Sequence, residues 1–326
     1  MLTRQEFLDT HQRIKSYIHR TPVMTSETIN RMSGAEVYFK CENFQKMGAF
    51  KMRGAINAIL GLTDEQRAKG VATHSSGNFA QAVSLSARNL ETKAYIVMPS
   101  NSPEVKKAAV RDYGGEITEC IPTLQAREDT CQEVMARTGA TFLHPYNDWA
   151  VVAGQGTATM ELLEEVPELD YMIPPVGGGG LSAGAALAAH YFGKNIKTIG
   201  AEPHGADDAW KSLEKGEIVL QTQPQTIADG LRTNLGDITF SVLHQYLERI
   251  ILVEEQEIVD ALRLMFERMK IVVEPSGAVP LAALLKEKET FKGKKVGILI
   301  SGGNVDLKVL GRLFCDCPFQ DNGGTL

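Results

Sequence analysis

Runs of strand length alternate with runs of helix length along most of this chain, and no other feature limits the possible folds so far. Apolar, strand-like stretches recur at Val37–Lys40, Val71–His74, Ala94–Met98, Glu116–Ile121, Thr141–His144, Tyr171–Val176, Thr198–Glu202, Ile250–Val253 and Val296–Ile300. Amphipathic stretches such as Pro103–Tyr113, Leu124–Arg137 and Val151–Glu165 separate them; the last carries Val152, Met160, Leu162 and Leu163 on one face. Strands joined by helices of this length form βαβ units, and hence mostly parallel sheets with both faces covered. The 326 residues make about two domains at ~100–200 residues each. The polar TDEQRAKG (63–70) and the loop-rich HPYNDWA (144–150) mark crossings between modules. The expected organisation is a large domain of residues 1–64 and 149–326, with a small α/β domain of residues 70–146 inserted in it.

Charge and cysteine content exclude several classes. Forty acidic against 34 basic residues give a formal charge of −6, and no basic stripe offers a footprint for nucleic acid. The five cysteines, Cys41, Cys120, Cys131, Cys315 and Cys317, are odd in number and scattered. Cys315 and Cys317 form a C-x-C, but no second Cys/His pair stands at zinc spacing. Reduced thiols in a cytoplasmic protein are expected. The N-terminal MLTRQEFLDTHQRIK lacks the apolar core of a signal peptide. Tyr171–Gly193 is uncharged and long enough to span a bilayer, yet it holds Pro174-Pro175 and four consecutive glycines, so no membrane helix is expected.

Four short segments carry chemistry. Gly177-Gly178-Gly179-Gly180 lies between the strand YMIPPV and the Ala-rich LSAGAALAAHYF. Glycines at such a turn let backbone N–H groups approach an anion, and the helix N-terminus adds a favourable dipole, so this is a phosphate cradle. Gly178, Gly180 and Ala183 also satisfy G-x-G-x-x-A, with Glu202 closing the next strand; a NAD-dependent dehydrogenase is therefore a rival reading. Lys51 sits beside Phe50 in the Gly-flanked, nearly apolar GAFKMRGA. Desolvation there lowers an amine pKa, as a nucleophilic lysine requires. In HSSGNFAQ, Ser75 and Asn78 stand at a strand-to-helix junction, where free N–H groups grip a carboxylate. Ile298–Asn304 is another strand ending in a small-residue turn. Such loops at the carboxyl ends of strands converge on one crevice in an open α/β sheet.

Together these segments resemble the fold-type II pyridoxal-5′-phosphate (PLP) enzymes, specifically the serine racemase and serine–threonine dehydratase group. The likeness runs from RTPVMTS (20–26) to SGGNVDL (301–307). KCENFQKMGAFKMRGA, SSGNFAQA, AGQGTATMEL, GGGGLSAG, TIADGL, VVEPSGA and SGGNVDL stand in the family's order. The fingerprint of a dehydrogenase explains only residues 171–202. The resemblance implies a tryptophan-synthase-β-like pair of open parallel-sheet domains and a dehydratase releasing a 2-oxo acid and ammonia from L-serine or L-threonine. It implies that Lys51 joins the PLP aldehyde and that Gly177, Gly178, Gly179, Gly180 and Leu181 hold its phosphate. By the same likeness Asn78 bonds the ring hydroxyl, Ser301 faces the pyridine nitrogen, and Phe50 and Gly230 contact the ring. Ser75, Asn78 and Gln81 lie near the substrate carboxylate, and Ser76 matches the second acid/base of the racemases. Glu202, Asp208 and the Ala206 carbonyl match a divalent-cation site for Mg, Mn or Ca. A homodimer is implied as well; threonine dehydratases of this group often carry a C-terminal regulatory domain, for which no room is expected after SGGNVDL.

A neutral Ser301 hydroxyl makes the ring a weaker electron sink than a carboxylate partner would, which favours elimination over transamination. Two positions bear on the substrate. Phe79 stands where the family usually has His near the substrate's β-substituent, making the pocket more apolar. Arg127 matches a pocket arginine of racemase-like members, and a guanidinium suits a second carboxylate, so 3-hydroxyaspartate dehydratase is the alternative activity.

Overall fold

A computed structural model describes residues 1–314 of the chain; Cys315 and Cys317 lie outside the described residues. The chain opens with helix α1 (Arg4–Ile14), strand β1 (Val23–Met24), α2 (Glu27–Ser33), β2 (Glu36–Cys41) and α3 (Lys51–Leu60). A short α4 (Asp64–Lys69) leads into β3 (Val71–His74), α5 (Asn78–Asn89), β4 (Ala94–Pro99), α6 (Glu104–Asp112), β5 (Gly115–Cys120), α7 (Leu124–Thr138) and β6 (Thr141–Phe142). Then follow α8 (Trp149–Glu165), β7 (Tyr171–Ile173), α9 (Gly180–Phe192), β8 (Lys197–Pro203) and α10 (Asp208–Lys215). The remaining elements used below are α11 (Asp237–Tyr246), β9 (Leu247–Val253), α12 (Glu255–Leu264), α13 (Pro275–Lys286) and β10 (Lys295–Ile300).

Two sheets result. One has six strands in the order β1-β2-β10-β7-β8-β9, the other four in the order β5-β4-β3-β6. All pairings are parallel except β1 against β2. The expected α/β class with two parallel sheets is what the chain adopts. Register aligns the carboxyl ends: β10 pairs with β2 from Lys295↔Glu36 to Ile300↔Cys41, so Ser301 and Glu42 leave the sheet at the same edge.

Differences from the sequence reading have local causes. The TDEQRAKG segment is a helix, α4, closed by a capping box in which Thr63 and Gln66 bond each other's backbone amides. Strand β7 ends at Ile173 because Pro174 and Pro175 have no N–H to extend the ladder. Past β6, His144 turns out of the sheet when its Nδ1 accepts the amides of Tyr146 and Asn147. The two-residue β1 was too short to show a period.

Helix α3 is held by a buried ion network. Arg53 donates to Glu42 through Nε and Nη2 (2.7 and 2.8 Å) and to Glu161 through Nη1 and Nη2 (both 2.8 Å). Lys40 Nζ lies 2.8 Å from Glu161 and also donates to the Thr21 carbonyl. All four charged side chains are at most 1% exposed, so each charge depends on its partners for the solvation it has lost. Close backbone packing completes the grip, because a Cβ at Gly154 on α8 would lie 2.6 Å from the Gly54 Cα on α3. Among the described residues, Cys41, Cys120 and Cys131 are free and buried, and no helix is long and apolar enough to cross a membrane. Arg53→Leu leaves the buried Glu42 without its cation and Glu161 with only Lys40 and His11, and is expected to lower stability by about 3–5 kcal/mol, read as a shift in the urea midpoint.

Candidate active site

The approach to Lys51 is built by a turn with two left-handed residues, Met47 (φ 57°) and Gly48 (φ 81°). The turn is stitched to the end of β10. Phe50 N donates to Ser301 O at 3.0 Å, Gly303 N to Gly48 O at 2.9 Å, and Ala49 bridges Gly302. Lys51 then opens α3, and its Nζ donates to the Pro145 carbonyl at 2.7 Å. The amine lies over two aromatic rings, 5.0 Å from the Phe50 centroid and 5.5 Å from that of Phe79. Burial pulls its pKa down to about 8, partly opposed by the Glu274 charge. The ammonium gives up its proton far more readily than a surface lysine.

Beside it lies the glycine loop. Gly177, Gly178, Gly179 and Gly180 are buried, and Leu181 continues into α9. Side chains are excluded here: a Cβ at Gly178 would sit 2.5 Å from the Tyr146 ring, and one at Gly177 would sit 2.8 Å from the Leu231 Cα. Gly179 takes φ 87°, and no side chain caps α9, so its first amides remain free for an anion. Thr239 Oγ1 donates to the Gly178 carbonyl at 2.9 Å and fixes the loop from α11. Gly230 approaches from the next loop, its amide donating to Ser276 Oγ at 3.1 Å, while its carbonyl borders Gly177.

The HSSGNF loop joins β3 to α5, another helix with no side-chain cap. Ser75 Oγ accepts from Gly77 N at 3.4 Å; Ser76 is partly exposed, and Gln81 is buried on α5. Asn78 links the two sheets. Its Nδ2 donates to both Glu274 oxygens (3.1 and 3.0 Å), and its Oδ1 accepts from Asn304 Nδ2 (2.9 Å). Burial pushes Glu274 up to about 7 despite the donation from Asn78. Among the described residues the buried Ser301 hydroxyl makes no hydrogen bond of ordinary length, though it lies near enough to Glu274 to help hold that carboxyl down. Arg127, in the first turn of α7, likewise has a buried, unpartnered Nε.

Glu202 and Asp208 form an acidic pair at the end of β8 and the start of α10. The Glu202 carboxylate accepts from Ala209 N (3.0 Å) and Trp210 N (2.9 Å) at the start of α10. The acid that a dinucleotide fingerprint would turn to a ribose is directed here to the first amides of α10. Burial, then the neighbouring Asp208, raises Glu202 well above the usual carboxylate range, and burial raises Asp208 to about 7. Asp208 Oδ2 is buried and unpartnered, and Ala206 is buried in the turn between the two acids. A cation here would draw on two carboxylates and a carbonyl, since no group of three or more His, Cys, Asp or Glu side chains gathers among the described residues.

Sequence reasoning missed Glu274, Asn304 and the residues around His144. His74 stacks on Phe142, and His144 meets Tyr146 edge to face at 4.6 Å. Burial, then the nearby His74 and Lys51, lowers His144 to about 4, so the imidazole is neutral. The signal for Glu274 was present as an acid within the otherwise apolar VVEPSGA.

Comparison with known proteins follows the geometry. The family described as pyridoxal-phosphate dependent enzyme matches residues 14–302. The chain belongs to that family. It is 48% identical over 308 residues to the β-hydroxyaspartate dehydratase of Paracoccus denitrificans, covering 94% of this chain and 98% of the relative. It is 48% identical over 316 residues to a serine racemase of Dictyostelium discoideum, covering 96% and 98%. The structure of maize serine racemase superposes with a TM-score of 0.92 at 46% identity, covering 94% of this chain and 95% of that one. As in other fold-type II PLP enzymes, the site lies among strand ends. The orphaned Ser301 hydroxyl, the uncapped amides of α9 and the desolvated Lys51 amine fit the ring nitrogen, phosphate and aldehyde of PLP in chemical kind.

Glu274 makes the site sensitive to pH. Its folded pKa of about 7 exceeds the ordinary 4.5, so the folded state binds the extra proton, and stability is lost as pH rises from about 4.5 through 7. Glu274→Gln is expected to remove that decline, worth up to roughly 3 kcal/mol at ~1.36 kcal/mol per unit. Chemical denaturation at pH 5 and pH 8 checks it.

Proposed function

We propose that this chain is a PLP-dependent dehydratase, an ammonia-lyase that converts a β-hydroxy amino acid such as L-serine or L-threonine to a 2-oxo acid and ammonia, with racemisation of serine at the same site. The observation that carries this is the Lys51 amine, desolvated beside an anion-ready glycine loop and an orphaned Ser301 hydroxyl. Bound PLP supplies an electron sink for negative charge at the substrate Cα.

The protein's own residues do the rest. The amides of Gly177, Gly178, Gly179, Gly180 and Leu181 hold the phosphate, with Phe50 and Gly230 against the ring and Asn78 at its hydroxyl. Ser301 presents a neutral hydroxyl to the ring nitrogen, which keeps the sink weak and favours prompt loss of the β-hydroxyl. Lys51 would be the residue that carries the cofactor, and its free, neutral amine would take the Cα proton; a pKa of about 8 leaves that form appreciably populated near neutrality. Ser76 serves the opposite face and permits racemisation. Ser75, Asn78 and Gln81, with the free amides of α5, bind the substrate carboxylate. Glu202, Asp208 and the Ala206 carbonyl hold a divalent cation (Mg, Mn or Ca), for which the unpartnered Asp208 oxygen is available. Residues 1–64 and 149–326 form the PLP-binding domain and residues 70–146 the small one. We place the enzyme in the cytoplasm as a homodimer, as the family likeness and reduced thiols suggest.

A second reading, 3-hydroxyaspartate dehydratase, rests on Arg127. Its unpartnered Nε suits a second substrate carboxylate, and the Paracoccus relative carries that name.

Purified protein supplied with PLP is expected to be yellow, and borohydride should fix the cofactor to the Lys51 peptide by mass spectrometry. Lys51→Ala should lower turnover by roughly 10²–10⁴; a colourless protein with full activity contradicts the reading. L-serine, D-serine, L-threonine and the 3-hydroxyaspartate isomers, followed for ammonia and chirality, identify the substrate. In that panel Arg127→Ala is expected to cut kcat/KM for 3-hydroxyaspartate by roughly 10–100-fold, the worth of a charge-assisted hydrogen bond, and for serine far less.

A further inference from the structure

The surroundings of the Lys51 amine are unusually poor in polar partners. Among the described residues its hydrogen bond goes to the Pro145 carbonyl alone. Two rings wall it: Phe50 precedes it in the chain, and Phe79 comes from α5 of the other sheet. Phe79 is 2% exposed and packs with Met52, Ala80 and Val83, so its ring is held by core packing rather than free to swing into the cleft.

We propose that Phe79 is a positioning residue for Lys51: its buried ring closes the amine's chamber and denies it a second hydrogen-bond acceptor. This rests on the reading of Lys51 as the reacting base. The argument is one of competing effects. The Pro145 carbonyl accepts from the amine in either protonation state and favours the ammonium, whose hydrogen bond is charge-assisted. An imidazole or amide at position 79 would add an acceptor that favours the ammonium. A ring offers only its π face, which attracts the ammonium weakly, while the water it displaces would have solvated the charge more strongly. The charged and titratable groups that face the amine are Glu274, which favours the ammonium, and the neutral His144. Phe79 offsets the first and lets Lys51 act as a base near neutral pH. It also couples the two sheets, since the ring belongs to α5 and the amine to α3.

The test uses full-length protein freed of PLP and trace labelling of Lys51 with isotopic acetic anhydride across pH, read by peptide mass spectrometry. The wild-type midpoint is expected near the value of about 8. Phe79→His and Phe79→Gln each add an acceptor, neutral at that pH, and are expected to raise the midpoint by about one unit, a tenfold change in the acid constant. Phe79→Leu keeps the wall apolar and is expected to stay within about 0.3 unit or fall. In the PLP-loaded enzyme the acid limb of kcat, which reports the substrate complex, should move upward with the polar variants. Either polar variant suffices if the other does not fold. An unchanged midpoint in a folded polar variant, or an equal rise in Phe79→Leu, overturns the proposal. Failure of the underlying reading looks different: borohydride would then leave no cofactor on Lys51, whatever the midpoint does.

Discussion

Arg53 is the fixed point from which the site is built. Its guanidinium spans Glu42, just past the end of β2, and Glu161 on α8, and both carboxylates are sealed from water. A bidentate contact on each side leaves the fork little freedom, so α3 cannot rotate or slide without breaking buried ion pairs. Lys51 stands two residues earlier on the same helix. Its amine therefore inherits its direction from charges it never touches. The same rigidity holds Phe50 against the end of β10, bringing the ring-facing and amine-bearing residues to the site as one unit.

Around that unit the chemistry is a matter of withheld partners. Ser301 Oγ, Arg127 Nε and Asp208 Oδ2 are all buried without a hydrogen bond, and the first amides of α5 and α9 lack side-chain caps. Folded proteins rarely leave such groups unanswered. The three side chains stand just past β10 and in the first turns of α7 and α10, among the elements that build the candidate site. Asn78 contributes differently: it is held by Asn304 on one side, and its amide nitrogen donates to the two Glu274 oxygens together, tying the small sheet's first helix to the large sheet's last crossover.

Much of this was legible in the sequence, and the exceptions are instructive. All nine stretches read as strands contain strands, because parallel strands buried on both faces must be continuous apolar runs. The glycine loop and Lys51 stood out because backbone approach and desolvation each demand particular neighbours in the chain. Glu274, by contrast, lies 196 residues from Asn78, and His144 acquires its neutral state from packing that no local pattern encodes. Phe79 was read beside the substrate's β-substituent, and its nearness to the Lys51 amine was not foreseen; a helix position predicts which face is buried, but not which group across the cleft it will touch. The capping box of α4 was written plainly in Thr63 and Gln66, yet its polar residues masked a helix of only six residues.

The order of the chain adds a consequence of its own. Helix α3 rests on α8, through Gly54 against Gly154 and Asn57 Nδ2 on the Ala150 carbonyl at 2.7 Å, but the whole four-stranded sheet is encoded between them. During synthesis the reactive lysine leaves the ribosome about a hundred residues ahead of the surface that seats it, and that intervening unit has time to fold first. Until Glu161 emerges, Arg53 has only Glu42 to answer its charge. The nascent chain thus carries Lys51 unassembled, and the candidate site is complete only once Ser301 has been made.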